Sequence, residues 1–291
     1  MIDGGVTTII QGPLEILSVG QIEDTYLKYG PVVVSTWTDY TRSYLSQKQK
    51  KSYTEAYNTI QHLKTIYHDK IKFISKPFPK KVVKNHPNEN LRSSTFYYYV
   101  QGMVNALQSV ETKYAIRTRS DERFSDLDLF IDKLRKYPNK MIMGNIFVRP
   151  MRLAQFHIGD HIFASKTKTM FDAYDDLLQI YDQKKEETWY SDVLNRDSAF
   201  ASPEQVYALA WLRSSGVDIE QLKQAGSDLE HRAKIYKDYF YTLDINKTGK
   251  FWLRHQHGGK SWEDNFKNPD DVYSDEDVLK DFFVGRKWNE R

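Results

Sequence analysis

The sequence predicts an α/β fold, a mainly parallel sheet flanked by helices, on three observations. Short β-branched or apolar runs alternate with helix-spaced segments over the first half of the chain. One of those runs, Pro31–Trp37 (PVVVSTW), is apolar almost throughout, as in a strand buried on both faces of a parallel sheet. The chain is 291 residues with 40% hydrophobic and 28% charged residues, enough for a sizeable core without staples.

Taken in order, Val6–Gln11 is a β-branched run closed by Gly12-Pro13 and reads as the first strand and its turn. Leu17–Tyr29 has helical spacing and stops at Gly30. Pro31–Trp37 is the second strand, Thr54–Tyr67 a helix, and Ile71–Ser75 the third strand. Asn90–Val110 reads as a long helix, Tyr114–Arg119 as the fourth strand, Leu127–Tyr137 as a helix and Met141–Val148 as the fifth strand. Beyond this, His161–Ala164 reads as a strand, and Met170–Asp182 and Pro203–Ser214 as helices. Asp218–Tyr239 is polar and helix-prone, and the tail after Phe251 has no clear period. With no Pro/Ser/Gly linker or repeat, residues 1–217 are expected to form the main domain. Residues 218–291 are expected as a helical or irregular C-terminal elaboration packed on it.

Composition removes several functions. Without cysteine there is no disulfide, thiolate zinc site or thiol nucleophile. A net charge of +3 is far below that of a dedicated nucleic-acid binder, so no nucleic-acid partner is expected. The basic runs Lys48–Lys51 and Lys80–Lys84 read first as solvated surface, and alternatively as a patch for anionic lipid or an anionic donor. No membrane-spanning stretch and no signal peptide is read, so the expected location is cytoplasmic, with peripheral contact to a membrane as the extension of that reading.

In an open α/β sheet, ligands sit outside the carboxyl ends of the strands. The informative residues are therefore Gln11, Gly12 and Pro13, then Ser35, Thr36 and Trp37, then Arg119, Ser120, Asp121 and Glu122. None of these turns is a G-x-G-x-x-G or a P-loop, which argues against a dinucleotide enzyme or a P-loop kinase. The acidic turn at Asp121 is the strongest chemical candidate, because a carboxylate at a strand end suits Mn²⁺ or Mg²⁺ bridging a diphosphate. Capping of the next helix is its plainer explanation. Arg117 and Arg119 share a strand face and, with Arg92, suit phosphate, or else pair with local carboxylates. Glu204, in the first turn of a Pro-started helix, is either a dipole-satisfying carboxylate or a general base. Asp160 could do the same work or bind an acceptor. His157 and His161 are four apart and His255 and His257 form an H-x-H, spacings that fit structural or acceptor-binding roles as well as a metal. A tail histidine, His255 or His257, would complete a Mn²⁺ site begun by Asp121.

The ordered set Ile9–Leu14 (IIQGPL), Val34–Trp37 (VSTW), Asn90–Arg92 (NLR), Arg117–Asp121 (RTRSD), Phe156–Asp160 (FHIGD) and Pro203–Gln205 (PEQ) resembles the WavE lipopolysaccharide-synthesis family, from about Thr7 to Trp211. The resemblance implies a GT-A-type, Rossmann-like glycosyltransferase acting in surface-polysaccharide assembly. It implies a nucleotide-diphosphate sugar donor, a glycan or lipid-linked acceptor, and Mn²⁺ or Mg²⁺. It places Gln11, Gly12 and Pro13 near the nucleotide, makes Asp121 the counterpart of the last acid of a D-x-D motif, and makes Glu204 the helical base. Arg119 stands where the first Asp of that motif would be. A catalytically inactive carbohydrate- or nucleotide-binding module of the same fold is the alternative.

Overall fold

The computed structural model describes residues 3–14, 16–37, 47–77, 94–145, 148, 155–182, 189–194, 202–245 and 251–253. Their centre is a seven-stranded sheet of order β3-β2-β1-β4-β7-β6-β8. Its strands are β1 (Val6–Gln11), β2 (Val32–Trp37), β3 (Ile71–Lys76), β4 (Tyr114–Arg119), β6 (Met141–Gly144), β7 (Ile162–Lys166) and β8 (Phe240–Leu243). A separate pair joins β5 (Glu122–Phe124) to β9 (Phe251–Leu253), antiparallel. The neighbours β3–β2, β2–β1, β1–β4 and β6–β8 are parallel, whereas β7 runs antiparallel to both β4 and β6. The sheet is therefore mostly parallel but mixed, a Rossmann-like arrangement.

The pleat divides the core in two, because successive side chains in a strand face opposite sides. Ile9, Val33, Ala115 and Phe163 face α3 (Ser94–Leu107), α5 (Thr167–Asp182) and α7 (Pro203–Ser214). Ile10, Val34, Ile116 and Ala164 face the other layer, where α2 (Gln47–Tyr67) and α4 (Asp128–Lys136) lie. Residues 205 to 212 of α7 are buried on every side, so this helix is an interior element rather than a surface one. Its Trp211 is 1% exposed, and its indole N–H donates to Ser165 Oγ at 3.2 Å, so burial leaves no orphan donor.

The C-terminal elaboration is woven into this core. Asp218 and Asp228 cap α8 (Ile219–Ser227) and α9 (Leu229–Tyr239), each accepting from two backbone N–H groups of the first turn. Leu222, Ala225, Ile235 and Tyr236 share the core cluster that holds Ile9 and Phe163, and β8 then forms a sheet edge. Several expected boundaries move: α2 begins at Gln47 rather than Thr54 and α5 at Thr167 rather than Met170, and two further changes are larger. The expected helix Leu17–Tyr29 is a short α1 (Ile16–Val19) followed by turns and a 3₁₀ segment, Tyr26–Lys28. Gly20 interrupts the helix, and the wrapped chain buries Ile22 and Tyr26 completely. The fifth strand ends at Gly144 instead of Val148, where Asn145 bonds the last residue of β8 and a residue just past it. Its N–H donates to the Leu243 carbonyl, and its Oδ1 accepts from the Ile245 N–H. In the aperiodic tail, Phe251–Leu253 forms a strand against the turn after β4. Among the described residues no helix is long and apolar enough to cross a membrane.

Candidate functional site

The strand order reverses at β1 and β4: the chain runs outward from β1 through β2 to β3, then crosses back to β4 on the other side of β1. A crevice at such a switch point, outside the carboxyl ends, is where this fold class binds ligands. Gln11 and Arg119 are register partners there. Gly12 follows with φ of +133°, a conformation that favours glycine, and a Cβ on it would lie 2.5 Å from Ser120 Oγ. The Gly12 turn and the Ser120 turn are thus packed against each other. Ser120 Oγ and Thr36 Oγ1 are both buried without a hydrogen-bond partner among the described residues.

Around this point lies a closed ring of charges. Arg119 grips Asp121 with a fork, Nε to Oδ1 and Nη2 to Oδ2, both at 2.9 Å. Its Nη1 reaches Asp160 Oδ2 at 3.4 Å, and its Nε lies 3.4 Å from Glu122 Oε1. His161 Nδ1 hydrogen-bonds Glu122 Oε1, and its Nε2 lies 3.7 Å from Asp160 Oδ1. Glu122 is fully buried, whereas the Arg119 and Asp160 side chains are about a third exposed, at 30% and 31%. The ring therefore has a sealed floor and an open rim.

One row deeper on the same face, Arg117 is 3% exposed. Its Nε donates to Gln11 Oε1 at 3.2 Å and its Nη1 to the His161 carbonyl at 3.4 Å. Its guanidinium lies over the rings of Tyr99 and Phe163, at 4.7 and 5.7 Å from their centroids. Gln11 spends its other end on the Tyr99 carbonyl, to which its Nε2 donates at 2.5 Å. The Tyr99 hydroxyl is hydrogen-bonded to that of Tyr174, which stacks on Tyr207. Burial pushes the Tyr99 hydroxyl up to about 12, Arg117 opposes this, and Asp160 and Glu204 reinforce it. Both carboxylates thus belong to the electrostatic surroundings of one tyrosine.

Asp160 reaches the site because β7 is antiparallel. Its amino end lies beside the carboxyl end of β4, so the turn preceding β7 delivers Asp160 and His161 to the ring. That turn carries Phe156 at φ 51°, its ring fully buried, a left-handed conformation costing roughly 1–2 kcal/mol in a residue with a Cβ. Glu204 sits in the first turn of α7, where Ser202 and Gln205 form a complete capping box. Its Oε2 lies 3.9 Å from His157 Nε2, with the side chain 26% exposed.

Of the sequence-predicted residues, the structure brings together Gln11, Gly12, Arg119, Ser120, Asp121 and Asp160, with Pro13 next in the β1 turn. Thr36 faces the opposite side of the sheet from Arg119, on the α2 side with Val34. Arg92, His255 and His257 lie outside the described residues. His161 and Glu122 matter more to the ring than their spacing indicated. The signal was present as two adjacent acid–base neighbours, R-S-D-E and G-D-H, but only the antiparallel β7 joins them.

The ring sets a pH dependence. Burial alone would push the Asp160 carboxyl up, but the charges of His161, Arg119 and Arg117 outweigh it and hold it below the ordinary carboxylate range. A carboxyl depressed in the fold contributes stability above its unfolded pKa and loses it as pH falls through the lowered folded value. Asp160→Asn is therefore expected to lower stability at pH 7, with a smaller deficit at strongly acid pH. Urea midpoints of the two proteins at pH 7 and pH 3 test this, and an equal deficit at both would remove the charge from the account.

A divalent cation at Asp121 would have to share its carboxylate with Arg119. Both Asp121 oxygens accept from one guanidinium, which sets a positive charge where a cation would approach. Among the described residues no group of three or more His, Asp or Glu side chains is arranged to hold a metal ion. No family model matches the chain, and no curated protein matches it significantly. Fold and site together define a Rossmann-like α/β protein with a ring of charged side chains at its switch point.

Proposed function

We propose that the protein is a glycosyltransferase of GT-A type that moves a sugar from a nucleotide-diphosphate sugar to a glycan or glycolipid acceptor. The observation that carries this reading is the charged ring at the β1–β4 switch point, with an arginine at its rim and carboxylates to either side. An open sheet binds nucleotides there, and sugar transfer needs a cation near the leaving diphosphate and a carboxylate near the acceptor hydroxyl. Arg119 serves the first need, with Gly12 and Ser120 bordering the diphosphate. Asp160 is held on both oxygens, by Arg119 and His161, and is better suited to orienting than to accepting a proton. Glu204, whose contact to His157 is loose at 3.9 Å, is the base.

In the reaction, the acceptor oxygen bonds to the anomeric carbon as the bond to the diphosphate oxygen breaks. The nucleoside diphosphate leaves with that electron pair, and Glu204 takes the acceptor proton. The proposed setting is the cytoplasm, at a membrane surface where a lipid-linked acceptor is presented for surface-polysaccharide synthesis.

The test is release of nucleoside diphosphate from a panel of UDP-, GDP-, ADP- and CDP-sugars, with and without a glycolipid extract as acceptor. Release dependent on one donor supports the proposal. Binding of a donor or glycan with no release would favour the inactive binding module, a reading that the full internal pairing of Asp121 supports.

A further inference from the structure

We propose that Arg119, backed by Arg117, holds the nucleoside diphosphate in place of a divalent cation, so that nucleotide binding needs no metal. The inference rests on the glycosyltransferase reading of the site and concerns how that site neutralises its ligand.

Three observations carry it. The first is the fork. Asp121, the carboxylate a cation would use, gives both oxygens to Arg119, in a nearly buried setting where the side chain is 7% exposed. A cation on Asp121 would share that carboxylate with Arg119 and set two positive charges side by side in a nearly buried setting.

The second is the donor count on Arg119. A guanidinium has five N–H groups. Three are directed at Asp121 and Asp160, which leaves one on Nη1 and one on Nη2, on a side chain 30% exposed at the rim. Two donors in one plane match two oxygens of a phosphate. The carboxylates fix the guanidinium before any ligand arrives, so little rotamer entropy is lost on binding.

The third is Arg117. Its hydrogen bonds go to two neutral acceptors, Gln11 Oε1 and the His161 carbonyl, and no carboxylate lies within ion-pair reach of it among the described residues. Its charge acts on Asp160 and so offsets part of the negative charge that the carboxylates gather around Arg119. Low local dielectric strengthens that interaction. Arg117 is too deeply buried to touch the ligand, so it acts through its charge and through the Gln11 bond that braces the end of β1.

The test uses the full chain and isothermal titration with UDP, GDP, ADP and CDP, first in EDTA and then with saturating Mn²⁺. One diphosphate is expected to bind in EDTA, with a Kd that Mn²⁺ changes by less than about threefold. Arg119→Gln is expected to raise that Kd at least tenfold, in line with the loss of about 1.5–3 kcal/mol for hydrogen bonds to a charged group. Arg119→Lys, which keeps the charge and loses the fork, is expected to recover only part of the affinity. Binding seen only with Mn²⁺ would overturn the inference and leave the glycosyltransferase reading standing. No binding in either buffer would overturn both. The Mn²⁺ comparison is made on the unsubstituted protein, so it stands even if Arg119→Gln does not fold.

Discussion

Glu204→Gln is expected to reduce sugar transfer by about 10²–10⁴-fold, the contribution of a positioned general base, while nucleoside diphosphate binding stays within about twofold of the parent. The substitution is chemically quiet for the fold. The capping box of α7 is made by Ser202 and Gln205, and Pro203 presets the first turn, so Glu204 is not needed to start the helix. Its interaction with the helix N-terminus is worth only about 0.3–1 kcal/mol. The loss should therefore appear in kcat rather than in Kd or in the melting temperature. Single-turnover transfer and titration with the diphosphate separate these quantities. Unchanged transfer would move the base elsewhere, with Asp160 as the next carboxylate to replace.

The second large effect concerns stability. Gly226 lies in the last turn of α8 against α6 (Trp189–Leu194), and a Cβ there would fall far inside van der Waals contact with the Val193 carbonyl oxygen. The obstacle is backbone, so no side chain can swing away. Gly226 is also a hydrogen-bond hub: its carbonyl accepts from Gln155 Nε2 at 2.7 Å and from Arg232 Nη2 at 2.6 Å. Gln155 in turn accepts, through its own carbonyl, from Gln205 Nε2 at 2.7 Å. Pushing α8 away from α6 thus strains the link between the C-terminal helices and the start of α7. Gly226→Ala is expected to destabilise the protein by about 3 kcal/mol, the upper end of ordinary overpacking. A melting midpoint lowered by about 5 °C or more would accompany it. A melt superimposable on the parent would show that α6 and α8 are not held this closely. Because Gln205 lies beside Glu204, the same variant is also expected to weaken transfer, which ties the C-terminal helices to the site.

Much of the fold was legible in the sequence for a local reason. Strands β1 and β4 match their expected bounds because β-branched runs closed by Gly-Pro or by a polar turn carry both their start and their stop within a few residues. Helix α7 matches for the same reason, its cap and its first proline being adjacent in the chain. Where local signals conflicted, tertiary burial prevailed. Leu17–Tyr29 has helical spacing, yet Gly20 and the burial of Ile22 and Tyr26 hold it as turns.

The site divides along the same line. The sequence by itself determined the chemistry on offer: Arg117 and Arg119 on one strand face, Asp121 at the strand end, Asp160 before the next strand, and Glu204 in a helix start. It also determined that Gly12 leads out of β1, a place where the backbone takes a conformation that favours glycine. Only the tertiary structure decided how those charges are spent. The antiparallel course of β7 sets His161 between Glu122 and Asp160, and the turn after β4 folds Asp121 back into the Arg119 fork. Pairing between charges far apart in the chain depends on strand direction and register. No local pattern encodes those, because they are set by which strands share the core.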